Sequence, residues 1–213
     1  MIGSFPDRVK EIHRSLDGHA IAHAFGGAIA LIYGVADPRL THDIDLNISV
    51  SVREAERVFR ALPSTLAWSP EDVEAVRREG QVRLRWQPDL PVDIFFPQHR
   101  FHGVVAARVR TVTFDGEMIP VVTPTDLTVF KAMFNRSKDW PDIEAMLRAG
   151  TVDEGEALRW LGEILGEDHR SRARLAGLIE EVHASPGEDR AGDPNVWRAA
   201  RLRDAPDSVI TSG

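Results

Sequence analysis

Hydrophobic and polar positions along this chain follow two rhythms in turn. Up to about residue 122, two-residue alternation and helical spacing are interleaved; beyond it, only helical spacing is seen. Val9, Ile12 and Leu16 make one stripe and predict a helix over 6–16. Residues 21–25 are apolar enough for a short buried strand that ends at Gly26-Gly27, and 28–33 predict a helix stopped by Gly34. In DIDLNISV, Ile44, Leu46, Ile48 and Val50 share one face of a strand, while Asp43 and Asp45 open the other. Residues 52–62 predict a helix stopped by Pro63. After a polar stretch, QVRLRW (81–86) alternates, and PVDIFFP (91–97) is a short apolar run with proline at both ends. These predict neighbouring strands. Asp115-Gly116, between strand-like flanks in 110–122, predicts a hairpin.

From Pro124 onward the stripes are helical: Leu127, Phe130 and Phe134, then Trp140, Ile143 and Leu147. Two further helices follow, with Leu158, Leu161 and Leu165, then Leu175, Leu178 and Val182. The segment SPGEDRAGDPNVW, rich in Pro, Gly and charge, predicts a loop. The order predicts an α/β (α+β) fold: a small mixed-sheet core flanked by helices over 1–122, followed by a C-terminal helical bundle over 123–213.

Composition narrows the class. There is no cysteine, which excludes disulfides and thiolate metal sites and fits a reducing compartment. The first residues have no apolar core of a signal peptide, and the longest apolar run, GGAIALIYGVA, is too short to cross a bilayer. The expectation is a cytoplasmic protein with no membrane partner. A net charge of -7 argues against a broad nucleic-acid surface. Arg108 with Arg110, and Arg170 with Arg172 and Arg174, read as solvated faces. The eight histidines show no metal-ligand spacing, and there is no P-loop or nucleophile elbow. The tryptophans mostly fall in helical or strand patterns and are assigned to the core.

The acidic pair is the first chemical signal. Residues i and i+2 of a strand project the same way, so Asp43 and Asp45 present two carboxylates to one spot. Like charges so placed repel unless a cation lies between them. Two hard oxygen anions suit Mg²⁺, which completes its shell with water and substrate phosphate. A D-x-D is also found on ordinary solvated strand faces. Gly26-Gly27, between a strand and a helix, leaves backbone N–H groups accessible to a phosphate chain, though paired glycines also mark plain turns. Asp93 is the one charge in an apolar run; it is either a third ligand or an edge-strand residue facing water. Lys131 lies at the rim of an apolar stripe, where it either covers grease with its stem or reaches a phosphate. Asp139 reads as a helix cap or, with Asp142 three residues on, as a partner that orients Lys131 or the acceptor.

The ordered set Gly26-Gly27, Asp43-Ile44-Asp45 and Asp93 resembles the nucleotidyltransferase superfamily. The stretch FGGAIALIYGVADPRLTHDIDL is similar to the branch that includes AbiEii-type toxins, with Arg39, Thr41, Asp43, Asp45 and Leu46 in place. TPTDLTVFKAMFNRSKDWPDIEAML is similar to the same branch through Lys131, Arg136, Lys138, Asp139, Asp142 and Ile143. The resemblance implies a Mg²⁺- or Mn²⁺-dependent enzyme that moves a nucleoside monophosphate from an NTP such as ATP to an acceptor. It implies Asp43, Asp45 and Asp93 as metal ligands, with Asp93 also drawing the acceptor's proton. Gly26, Gly27, Arg39, Thr41 and Lys131 would hold the nucleotide, and Asp139 and Asp142 would join the catalytic set. The setting it implies is the toxin of a toxin–antitoxin pair, acting on tRNA or protein, with a cognate antitoxin as partner. Two alternatives stay open: an aminoglycoside-type small-molecule nucleotidyltransferase, and a degenerate member that binds nucleotide or a partner without turnover.

Overall fold

The computed structural model describes residues 4–35, 43–86 and 89–185. Arg39 and Thr41 lie outside the described residues. The chain forms an α+β protein of two compact units. Residues 4–30 with 43–123 make the first, and 31–35 with 124–185 the second.

The first unit is built on a six-stranded mixed sheet: β1 (His23–Phe25), β2 (Ile44–Ile48), β3 (Gln81–Trp86), β4 (Leu90–Phe95), β5 (Arg110–Phe114) and β6 (Glu117–Val121). Their order across the sheet is β3-β4-β2-β1-β6-β5. β2 runs parallel to β4 and β1 parallel to β6, while the other neighbours are antiparallel. β4 is therefore an inner strand, and its two flanking prolines do not make it an edge. Pro91 is instead the second residue of β4, opposite Arg85.

Alternation sorts the sheet into two faces. Phe25, Ile44, Leu46, Ile48, Leu84, Trp86, Val92, Ile94, Ile119 and Val121 are all buried. Helix α1 (Phe5–Gly18) lies against this apolar face: Arg8 sits over the Trp86 ring, His13 meets His23, and Arg14 pairs with Glu117 of β6. The helix starts where the sequence supplies a capping box, Ser4 with Asp7, and a proline in its first turn. Fully burying residues such as Val9, Ile12 and Leu16 is worth about 1.5–3 kcal/mol each. That term outweighs any of the surface ion pairs in holding α1 to the sheet.

Three helical segments differ from the expectation. The helix predicted over 52–62 is a single 3-10 turn (Val52–Glu54) running into α3 (Ala55–Arg60). The polar stretch before β3 contains α4 (Pro70–Glu79), and α5 (Arg100–Arg108) follows β4. Only Val73 and Val76 of α4, and Phe101 and Val105 of α5, are buried, so neither has a full apolar stripe. Their ends are nevertheless chemically marked. Ser69 and Asp72 form a capping box, and Gly80 closes α4 with φ +72°.

The second unit is helical: α6 (Pro124–Phe134), α7 (Asp139–Arg148), α8 (Glu154–Leu165) and α9 (Arg170–Ala184). Gly34 belongs with these helices. Its carbonyl accepts from the Thr151 hydroxyl at 2.8 Å, and a Cβ there would press on Met146 and Pro124. Trp140, Ile143, Met146, Leu147, Trp160, Leu161 and Leu175 supply the core. Helix α2 (Gly27–Leu31) is short, at five residues.

Candidate active site

The polar face of the sheet carries one row of residues across three strands. Arg83 of β3 stands directly opposite Asp93 of β4, and Asp93 opposite Asp45 of β2. The row continues to the end of β1, where the Gly26 N–H donates to the Asp45 carbonyl at 2.8 Å. Because side chains alternate along each strand, this register puts the Asp93 and Asp45 carboxylates on one face beside each other. Asp43, two residues before Asp45, lies just ahead of the first residue of β2.

At the Gly-Gly end, the backbone and Asp45 are in close approach. Gly27 has φ +51°, a conformation that side chains other than glycine's adopt with strain. A Cβ on Gly27 would overlap the Asp45 carboxylate, with Asp45 Cβ itself at 3.1 Å. A Cβ on Gly26 would meet Asn47 Nδ2 at 2.7 Å. Gly27 is thus required by its backbone and by Asp45, whereas at Gly26 the end of the Asn47 side chain would have to move. With only five residues in α2, the helix dipole adds little here; of the two glycines, Gly26 is buried and Gly27 half-buried.

Arg83 closes the other end of the row. Its Nε and an Nη each donate to one Asp93 oxygen at 2.6 Å, the forked geometry a guanidinium makes with a carboxylate. The Asp93 side chain is 14% exposed and that of Arg83 55%. Arg83's guanidinium is held above its ordinary range, first by the hydrogen bonds and charge of Asp93 and then by the charges of Asp43 and Asp45. One cation is therefore felt by all three carboxylates. Sequence reasoning did not single out Arg83. The signal was present in QVRLRW, where alternation puts Arg83 and Arg85 on the polar face, but strand register decides which of them meets an acid.

The donor set suits a hard divalent ion: carboxylate oxygens, with no thiolate in the chain. Among the described residues no three His, Asp or Glu side chains stand together as a metal-holding group. Asp93 is joined to Arg83 instead.

Lys131, Asp139 and Asp142 lie in the second unit and form a cluster of their own. Lys131 Nζ donates to Asp142 Oδ2 at 2.7 Å and lies 3.5 Å from Asp139 Oδ1. Arg136 Nε donates to the second Asp139 oxygen at 2.7 Å. The side chains of Lys131, Asp139 and Asp142 are 5%, 1% and 8% exposed. Asp139 does not act as a cap: Lys138 holds that position, with no side-chain capping bond, and Asp139 is the first residue of α7. Two carboxylates and two cations balance, so burial does not strand a net charge.

Two smaller differences belong to other side chains. His13 and His23, ten residues apart, stand 3.1 Å from each other; His23 Nδ1–H donates to the Ile21 carbonyl, which turns its Nε2 toward His13. Arg174 stacks on the Trp140 ring at 4.1 Å, so Trp140 is core on one side and a cation platform on the other.

No family model matches the chain, and no curated protein matches it. Solved structures do. A nucleotidyltransferase-like antigenic protein from Paracoccidioides brasiliensis is 17% identical, with 93% of this chain and 98% of that one covered, at a TM-score of 0.47. A lincosamide antibiotic adenylyltransferase with lincomycin bound is 12% identical over 66% of this chain and 94% of that one, TM-score 0.44. The antibiotic-resistance factor ANT(2'')-Ia is 15% identical over 84% and 97%, TM-score 0.43. These are likenesses of chain path, and at this level nothing about activity follows from them. Among the described residues no helix is long and apolar enough to cross a membrane.

Proposed function

We propose that this protein is a nucleotidyltransferase that moves a nucleoside monophosphate from an NTP such as ATP onto an acceptor hydroxyl and releases pyrophosphate. The observation that supports this most is the row itself. Asp45 and Asp93 are cross-strand neighbours on one face, with a side-chain-free Gly26-Gly27 turn packed against Asp45. Carboxylates able to hold a divalent ion, beside a turn free of side chains, suit a polyphosphate with its counter-ions. Asp43, Asp45 and Asp93 would hold a divalent ion, Mg²⁺ or Mn²⁺. When bound, such an ion neutralises phosphate charge and favours in-line displacement.

The chain's own residues do the rest. Gly26 and Gly27 offer backbone to the β and γ phosphates at close range. Asp93 takes the proton of the acceptor hydroxyl on its carboxylate as the new P–O bond forms and the bond to pyrophosphate breaks. Arg39 and Thr41 are carried into the nucleotide site by the resemblance alone. So is Lys131, whose Nζ would counter the charge that grows on the leaving pyrophosphate, with Asp142 and Asp139 orienting it. Under this reading Lys131→Met raises the KM for the NTP, whereas a purely structural lysine leaves the KM unchanged in whatever fraction stays folded.

The acceptor we propose is tRNA or a protein, in the setting of a toxin countered by an antitoxin, in the cytoplasm. A second reading, a cationic small-molecule acceptor, is favoured by the net charge of -7. Incubation with labelled NTPs and Mg²⁺ against total RNA, cell lysate and a panel of polyamine-like compounds separates the acceptors. Transfer that survives Asp43→Ala combined with Asp45→Ala refutes the assignment.

A further inference from the structure

A salt bridge between neighbouring strands is ordinarily a stabiliser and nothing more. Arg83 differs from the other surface pairs of this protein in where its partner stands. Lys10 with Asp115 and Arg85 with Asp89 join residues at turns and rims. Arg83 is forked onto the middle member of the row that ends at Gly26. Both Asp93 oxygens are taken by one guanidinium, and a carboxylate so held cannot also turn an oxygen pair to a second cation. Arg83 itself comes from β3, an edge strand, and more than half of its side chain is in water, so it can leave without disturbing the core.

We infer that Arg83 is an internal counter-ion for the acidic row, one that a divalent ion must displace from Asp93 before all three carboxylates can serve it. This deepens the proposed function and rests on its reading of Asp43, Asp45 and Asp93 as metal ligands. Without ions, the guanidinium offsets the charge of Asp93 where it stands opposite Asp45. With ions and a polyphosphate present, it turns outward, and its charge becomes available to the entering phosphates. Arg83 is a positioning residue: it sets the affinity and the charge of the site through Asp93. The choice of arginine also fits. A lysine at the same position would offer one point charge and no fork, and would leave one Asp93 oxygen open.

The test is Mn²⁺ binding to the full chain in the absence of nucleotide, followed by electron paramagnetic resonance at low ionic strength. Arg83→Met should bind Mn²⁺ about tenfold more tightly than the wild type, a gain that Asp93→Asn in the same chain removes. Arg83→Lys should fall between wild type and Arg83→Met, and it supplies the comparison if the methionine variant does not fold. Equal or weaker Mn²⁺ binding in the folded variant overturns the inference, as does a gain that persists with Asp93→Asn. Catalysis is read separately. Transfer without any Mn²⁺ response to position 83 sinks the counter-ion role and leaves the proposed function standing. A response at position 83 in a protein that transfers nothing does the opposite.

Discussion

Two clusters of acids and bases in this protein invite comparison. On the sheet, Asp43, Asp45 and Asp93 share a polar face with Arg83, which is 55% exposed. In the helical unit, Asp139 and Asp142 share Lys131 and Arg136, with all but Arg136 at or below 8% exposed. The residue types are nearly the same, and the surroundings are opposite. The helical cluster is balanced and closed. Burying it costs solvation energy that only complete pairing offsets, so losing one member leaves an uncompensated charge. The sheet cluster joins Asp93 to the half-exposed Arg83 and keeps contact with water. Such a site can exchange its counter-ion at small cost, because exposed pairs contribute at most about 1 kcal/mol. A pair within reach of solvent can trade its partner for a ligand, whereas a buried pair gives up its partner only at a large cost.

The sharpest way to break this contrast is to remove acids from each cluster. Asp43→Ala with Asp45→Ala should reduce transfer at least about 10²–10³-fold while the melting temperature changes little, since the like-charge repulsion goes with the acids. Activity assays paired with thermal unfolding check it. Lys131→Met should do the reverse to stability. Loss of the cation from a buried pair costs about 3–5 kcal/mol, a fall in melting temperature of roughly 6–20 °C for a chain of this size. An unchanged melting curve would place Lys131 among exchangeable groups instead. Gly27→Ala should cost about 1–3 kcal/mol, from its left-handed backbone and the collision with Asp45, and should also lower transfer. Alanine at Gly103, which has nothing within 4 Å of its added Cβ, is the control.

The smallest effect concerns pH. Burial pushes the His23 imidazole below its ordinary value; the Ile21 carbonyl opposes this, His13 adds to it and Asp17 opposes it. A base that is harder to protonate in the folded state favours folding above its unfolded pKa, about 6.5. That contribution is lost as pH falls through the lower folded value. His102 is shifted the same way by burial. Stability should therefore decline as pH drops below about 6.5, and His23→Gln with His102→Gln should flatten the slope in urea titrations at pH 5 to 7.

Much of the fold is readable in the spacing of apolar residues. β2, β3 and β4, the β5–β6 hairpin and the existence of the helices from Pro124 onward follow from it, but the stripe expected on α6 does not: Phe134 is 48% exposed, while Thr125, Asp126, Thr128 and Lys131 are buried. α4 and α5 are the instructive failures. Each buries only two of its residues, too few for a stripe, although Ser69 with Asp72 at the start of α4 and Gly80 after it carry the chemistry of helix ends. The 52–62 segment failed in the other direction, since an apolar pattern does not say that its first turn winds more tightly than the rest.

By itself, the sequence determined which residues alternate, where acids interrupt a strand, and which turns need glycine, because these depend on neighbours within a few positions. It could therefore read Asp45 as an acid on the polar side of a strand. It could not say that Asp93 comes next to Asp45, that Arg83 rather than Arg85 faces an acid, or that His13 meets His23. Nor could it say that Lys131 is buried with both of its carboxylates. Those facts depend on strand order, register and helix packing, which bring together residues eight to fifty positions apart. Only the tertiary structure decides them, because the energy of a charge depends on the water and partners around it.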